Sequence, residues 1–138
     1  MLDWIDDNVG IADININTYE SRQALDTDLV LDVRYYFKQI HPNKIKGTMP
    51  KDSLINIADL IRDKVQKGWK IILHCQSGID RAPFTAVVYL VRRYDMDVSE
   101  AYDIVMEKRS QTKYHPEWET WLREHLHTTW AEIHDSPV

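Results

Sequence analysis

Apolar residues along this chain fall into two rhythms. Short unbroken runs come first: "NVGIADIN" from Asn8, "DLVLDV" (Asp28–Val33) and "WKIILHC" from Trp69. Each reads as a strand, and Asp28–Val33, short and apolar, as a buried one. Between and after them the spacing turns helical. Leu54, Ile57, Ala58, Ile61 and Val65 share a face, with Asp52 or Ser53 as a cap and a stop near Gly68. Phe84, Val87, Val88 and Val91 line a second helix. "DVSE" (Asp97–Glu100) has capping-box spacing and opens a third. Pro116 suits a first helical position, and Trp118, Trp121, Leu122, Leu126, Trp130 and Ile133 follow on one face. "TYESRQAL" reads as a short helix with Thr18 as its N-cap. Strands and helices alternate, then helices run alone. That order predicts an α/β fold, with a small central, mostly parallel sheet flanked by helices.

Length and composition narrow the class. The 138 residues suffice for one domain, 1–138, with a real core. No repeat, low-complexity tract or linker interrupts them. No apolar run reaches the length of a membrane span, and the start "MLDWIDDN" does not read as a signal peptide. One cysteine cannot staple a fold, so a soluble, intracellular, cytoplasmic protein is expected. The net charge of −5 argues against a general nucleic-acid or anionic-membrane binder. It leaves room for one local anion pocket.

That lone cysteine lies in "KIILHCQSGIDRAP" (Lys70–Pro83), at a strand end, with an arginine six positions on. The loop Gln76–Asp80 joins a strand C-terminus to a helix N-terminus, where open α/β folds place ligands. Backbone N–H groups of Gln76, Ser77, Gly78, Ile79, Asp80 and Arg81 can curl into an anion nest, reinforced by the helix dipole. Gly78 supplies a backbone shape that a side chain resists. Arg81 offers a planar fork for two phosphate oxygens. The helix start and the guanidinium also favour thiolate at Cys75, a nucleophile at the base of the cradle. A buried structural cysteine is the plainer alternative; it does not require Gly78 and Arg81 at these offsets.

"HCQSGIDR" resembles the His-Cys-x5-Arg signature of the cysteine-dependent protein tyrosine phosphatase superfamily. The short chain is similar to the dual-specificity branch, and Ala82-Pro83 resembles the phosphatases of regenerating liver. The resemblance is tight over Ile71–Val91 and only architectural before residue 50. It implies a hydrolase that cleaves a phosphate monoester through a phosphocysteine, with no cofactor and no metal. Cys75 would be the nucleophile, Arg81 the clamp, and the amides of Gln76 through Arg81 the cradle. His74 would tune the thiolate by hydrogen bonds, or serve as a satisfied core histidine.

Two positions depart from that pattern. The family's usual general acid is an aspartate before the helix that precedes the cysteine strand. Here "IHPNKIKGTMP" contains no acid, and Asp52 beyond it is better explained as a helix cap. Asp80, just before Arg81, is the alternative acid, as in myotubularin-like and Sac-type phosphatases; it can equally cap the next helix or pair with a base. Ala82 replaces the usual serine or threonine, whose hydroxyl aids phosphocysteine breakdown, so slow turnover is expected.

Weaker candidates have plainer readings. Tyr35, Tyr36 and Phe37 wall a pocket or anchor a loop, and Lys44 and Lys46 attract an anion or are simply solvated. His125 and His127 do not share a helix face, which argues against a metal site. The expected partner is a phosphorylated protein or another phosphate monoester; phosphoinositide and RNA 5′ ends stay open. Two rival readings are a phosphate-binding pseudophosphatase and a rhodanese-like sulfur carrier. The sequence sets no oligomeric state.

Overall fold

The three apolar runs become the parallel part of one sheet. The computed structural model describes residues 2–17, 26–34 and 51–126. Its strands are β1 (Asp3–Trp4), β2 (Val9–Ala12), β3 (Leu29–Asp32) and β4 (Ile71–His74), in the order β1-β2-β4-β3. β4 lies in the middle, parallel to both neighbours, with His74 level with Ala12 on one side and Asp32 on the other. All four β4 residues are buried, as an interior strand covered on both faces requires. Three strand ends therefore open at the same edge of the sheet.

The antiparallel β1 was not expected. Two residues, "DW", carry no periodic signal. It forms because Asp6 Oδ1 accepts the N–H groups of Asn8 and Val9 at 2.8 and 2.7 Å, turning the chain back along β2.

Among the described residues the α-helices are α1 (Lys51–Gln66), α2 (Arg81–Tyr94), α3 (Val98–Lys108) and α4 (Pro116–His125), and α2 packs directly on β2 and β4. α1 is already helical at Lys51, so neither Asp52 nor Ser53 caps it, and the sequence expectation is corrected on this point. Lysine is a good helix former and extends the first turn past the residues whose chemistry suggested a cap. The helix stops where expected, at Gly68 with φ +90°. α2 runs between α1 and α3 and is buried around most of its circumference. It ends at Asp95 in the left-handed region. Asp97 caps α3 by accepting the Ser99 N–H at 3.0 Å. Pro116 opens α4, which buries Trp118, Trp121 and Leu122. Phe84 of α2 meets the rings of Tyr102 and Trp118 at 5.8 and 5.2 Å, which ties the last three helices into one core.

The expected helix at 18–25, the residues Tyr35, Tyr36, Phe37, Lys44, Lys46, His127, Trp130 and Ile133, and the "IHPNKIKGTMP" stretch lie outside the described residues. Among the described residues no helix is long and apolar enough to cross a membrane.

Candidate active site

β4 hands the chain to α2 through a loop whose outer side is fastened to the scaffold. The Gln76 carbonyl accepts from the Ile14 N–H at 3.0 Å, and the Ile79 carbonyl from the Lys113 N–H at 2.5 Å. The Gly78 carbonyl accepts from Arg109 Nε at 2.6 Å. All peptides here are trans, so each carbonyl and the next N–H point opposite ways. Fixing these three carbonyls outward turns the N–H groups of Ser77, Ile79 and Asp80 toward the other side.

Gly78 sits at φ +71°. A Cβ there would meet the Ala12 carbonyl oxygen and Arg109 Nη2, both at 2.6 Å. Glycine is thus required twice, by backbone conformation and by space. The cost of another residue would fall on the loop itself.

Cys75 directly follows β4 and has no exposed surface. Burial is shared with an inert core cysteine; its hydrogen bonding is not. The Ala82 N–H, in the first turn of α2, points at Cys75 Sγ from 3.4 Å. A free helix-start amide and the positive end of the helix dipole therefore both face the sulfur.

His74 lies behind the cysteine, buried. Its Nε2 is 3.1 Å from the Asn17 side-chain nitrogen, and its Nδ1 is 3.2 Å from the Cys75 carbonyl oxygen. The Asn17 amide nitrogen can only donate, so Nε2 accepts and Nδ1–H donates. His74 reaches the cysteine through its backbone carbonyl. Both ring nitrogens thus have partners, which fix the strand end.

Arg81 is the first residue of α2, and about a third of its side chain is exposed. Its backbone N–H is taken by Asp80 Oδ1 at 2.7 Å, so what it presents to an anion is its guanidinium. Asp80 is the N-cap of α2, one of the plainer roles foreseen for it. Its other oxygen lies 3.7 Å from His115 Nε2, and its Oδ1 lies 3.8 Å from Arg81 Nε. Gln76 and Ser77 are exposed at the loop's rim. Asp52 is the second residue of α1, and its side chain lies outside the described residues.

Four residues around the loop escaped the sequence reading: Asn17, Arg34, Arg109 and His115. Arg109 is the most buried charged group described, at 2 % exposure. It holds Gly78, the Ile11 carbonyl at 3.1 Å and Asp3 at 2.9 Å. Nothing in "EKRSQT" marks it out among the surface bases of a helix end.

A cysteine directly after a parallel strand, a loop fastened by its carbonyls and an arginine opening the next helix form the arrangement expected of a cysteine-dependent phosphatase. The chain belongs to the dual specificity phosphatase catalytic domain family, whose model matches residues 7–128. It is 34% identical over 56 residues to human dual specificity protein phosphatase 5, which covers 41% of this chain and 14% of that protein. It is 34% identical over 58 residues to human protein phosphatase Slingshot homolog 2, covering 42% and 4% respectively. The matches span 40% or less of the length of the first curated relatives.

Among solved structures, a variant of human DUSP28 superposes with a TM-score of 0.73 at 15% identity, over 91% of this chain and 96% of that one. The human tyrosine phosphatase-like serine/threonine/tyrosine-interacting protein gives 0.71 at 15% identity, over 91% and 95%. At such identities the likeness is one of fold.

Proposed function

We propose that this chain hydrolyses phosphate monoesters on proteins through a phosphocysteine. The observation that carries this reading is the Ala82 N–H aimed at Cys75 Sγ, at the foot of a loop fastened by its outward carbonyls. The Cys75 thiolate attacks phosphorus. The P–S bond forms as the bond to the leaving oxygen breaks, and that oxygen takes a proton. Water then attacks phosphorus, the P–S bond breaks, and inorganic phosphate leaves with the thiolate restored. The amides of Gln76, Ser77, Gly78, Ile79 and Asp80, with the Arg81 guanidinium, hold the phosphoryl oxygens.

Asp80 supplies the leaving-group proton in this reading. It is held one residue from Arg81 at the rim of the loop, and the loop before α1 brings no acid short of Asp52. Capping occupies one of its oxygens and leaves the second, on the His115 side, to carry the proton. A phosphorylated protein as substrate accords with the family and with the chain's net acidity, which disfavours RNA.

A second reading keeps the cradle and drops efficient turnover. Ala82 favours it, since it brings a buried methyl group to the place of the family's usual hydroxyl. One assay separates the two: turnover of a generic aryl phosphate by the protein and by Cys75→Ser. Cysteine-dependent turnover supports the enzyme. Binding of phosphate with no turnover supports the binding module.

A further inference from the structure

β3 ends level with β4, and the residues just after it bring a second arginine to the loop. Arg34 Nε donates to Asp32 Oδ1 and Oδ2 at 3.0 and 3.2 Å, and Nη2 donates to Oδ2 at 2.7 Å. Its backbone N–H also donates to Asp32 Oδ1, at 3.0 Å. From this anchored position Nη1 crosses to the Gln76 side-chain oxygen at 2.8 Å. Gln76 is the first residue of the loop. The guanidinium also lies within electrostatic range of Cys75, whose negative form adds to holding its charge.

A guanidinium carries five N–H donors. Asp32 and Gln76 draw on one donor each of Nε, Nη2 and Nη1, which leaves one on each terminal nitrogen, among the described residues. About a third of the side chain is exposed. The chain that follows Arg34, up to Lys51, contributes Lys38, Lys44, Lys46 and Lys51 and no acid, so no carboxylate of that stretch competes for those donors. Asp32 neutralises the pair at long range. In return it fixes the fork, so ordering a long side chain adds little further cost on binding.

We infer that Arg34 is a second anion-binding point, which holds an acidic group next to the scissile phosphate of a phosphopeptide. The group is a carboxylate or a second phosphate, both of which match the fork. The inference deepens the phosphatase reading and rests on it. A purely structural Arg34, which only steadies Gln76, would affect every substrate alike. A subsite affects only those with the second acid.

The test uses Cys75→Ser, titrated by calorimetry with three phosphotyrosyl peptides that differ at one flanking position: Glu, phosphoserine or Gln. The Glu and phosphoserine peptides should bind roughly tenfold more tightly than the Gln peptide, a step one charge-assisted contact can supply. Added salt should shrink that advantage, an arm that needs no change at Arg34. The advantage should vanish in Cys75→Ser/Arg34→Gln and persist in part in Cys75→Ser/Arg34→Lys, which keeps the charge without the fork. Equal affinities for the three peptides, or a preference that survives Arg34→Gln, overturns the subsite. So does an equal loss for all three in that variant, which would make Arg34 a support for Gln76. Turnover of the same peptides by the protein with Cys75 intact reports separately on the chemistry. A preference without turnover overturns the phosphatase reading and upholds the subsite. Turnover without a preference does the reverse.

Discussion

Arg109 Nε donates to the Gly78 carbonyl oxygen at 2.6 Å, and so a residue at the end of α3 sets the shape of a loop 31 positions earlier. The same guanidinium bonds the end of β2 and the carboxylate of Asp3. Removing it strands two buried carbonyls and an ion-pair partner together. Arg109→Ala should therefore cost about 3 kcal/mol in urea denaturation, the usual scale for breaking a buried, hydrogen-bonded pair. Arg109→Lys should recover only part of this, because one ammonium cannot reach three acceptors in fork geometry. Wild-type stability in either variant would show that the loop is held elsewhere.

Cys75→Ser should abolish turnover while the protein stays folded and still binds phosphate, because the loop's fastening does not involve the sulfur. Arg81→Lys should also lose turnover, since an ammonium cannot grip two oxygens as the fork does. Steady-state assays with an aryl phosphate check both, and normal kinetics in either variant would remove that residue from the chemistry.

Ala82 follows Arg81, and its own N–H faces the sulfur. In the family's usual pattern a hydroxyl at this position aids breakdown of the phosphocysteine in the second step. If that step is slow here, rapid mixing should show a burst of released alcohol before the steady rate. Ala82→Ser should raise the steady rate more than the burst. A linear time course with no gain in the variant would place the slow step elsewhere.

Asp80 caps α2, and in the proposed reaction it is also the acid, two duties that substitution separates. Asparagine caps a helix about as well as aspartate, so Asp80→Asn should leave stability nearly unchanged, whereas Asp80→Ala should cost about 1 kcal/mol. Asparagine carries no transferable proton. Asp80→Asn should slow alkyl or tyrosyl phosphates by about two orders of magnitude and an activated aryl phosphate far less. His115, stacked on Trp118 at 3.8 Å, brings its Nε2 to the free oxygen of Asp80. That nitrogen is buried and has no hydrogen-bond partner among the described residues. His115→Gln should show a smaller version of the same leaving-group effect. If Asp52→Asn shows the effect and Asp80→Asn does not, the proton comes from the first turn of α1.

The Asp32 carboxyl is held below its ordinary value of 3.8, chiefly by the Arg34 hydrogen bonds. The folded state thus binds this proton more weakly than the unfolded chain. The resulting stabilisation is complete above the ordinary carboxylate range and is lost as pH falls through the depressed folded value. Arg34→Gln removes it. The difference in Tm between the protein and Arg34→Gln should be steady near neutrality and close below about pH 4. A gap that persists or widens in acid would mean that Arg34 stabilises the fold by another route.

Much of this was open to a reader of the sequence, and the reason is local. Cys75, Gly78 and Arg81 must stand at set intervals on one turn of chain, so their chemistry is written as spacing. The apolar runs of β2, β3 and β4 and the helical faces of α1 to α4 are likewise set by neighbours in sequence. The cap of α1 was misplaced because Asp52 and Ser53 have cap chemistry wherever they stand; only the fold decided that the helix starts earlier.

Tertiary structure alone decided what surrounds the loop. Arg109 meets Ile11 across 98 positions and Asp3 across 106, and no periodicity records such distances. Arg34 reaches Gln76 only because β3 and β4 are parallel neighbours in register. Asn17 reaches His74 because the turn after β2 returns over the end of β4. His115 reaches Asp80 because α4 is drawn onto the core by Trp118. The sequence by itself determined the Cys75–Arg81 spacing, the glycine between them and the class of fold, since each is a matter of residue type at short range. Which side chains hold that loop, and which donors it offers beyond one phosphate, depended on bringing distant residues together, and packing does that where pattern does not.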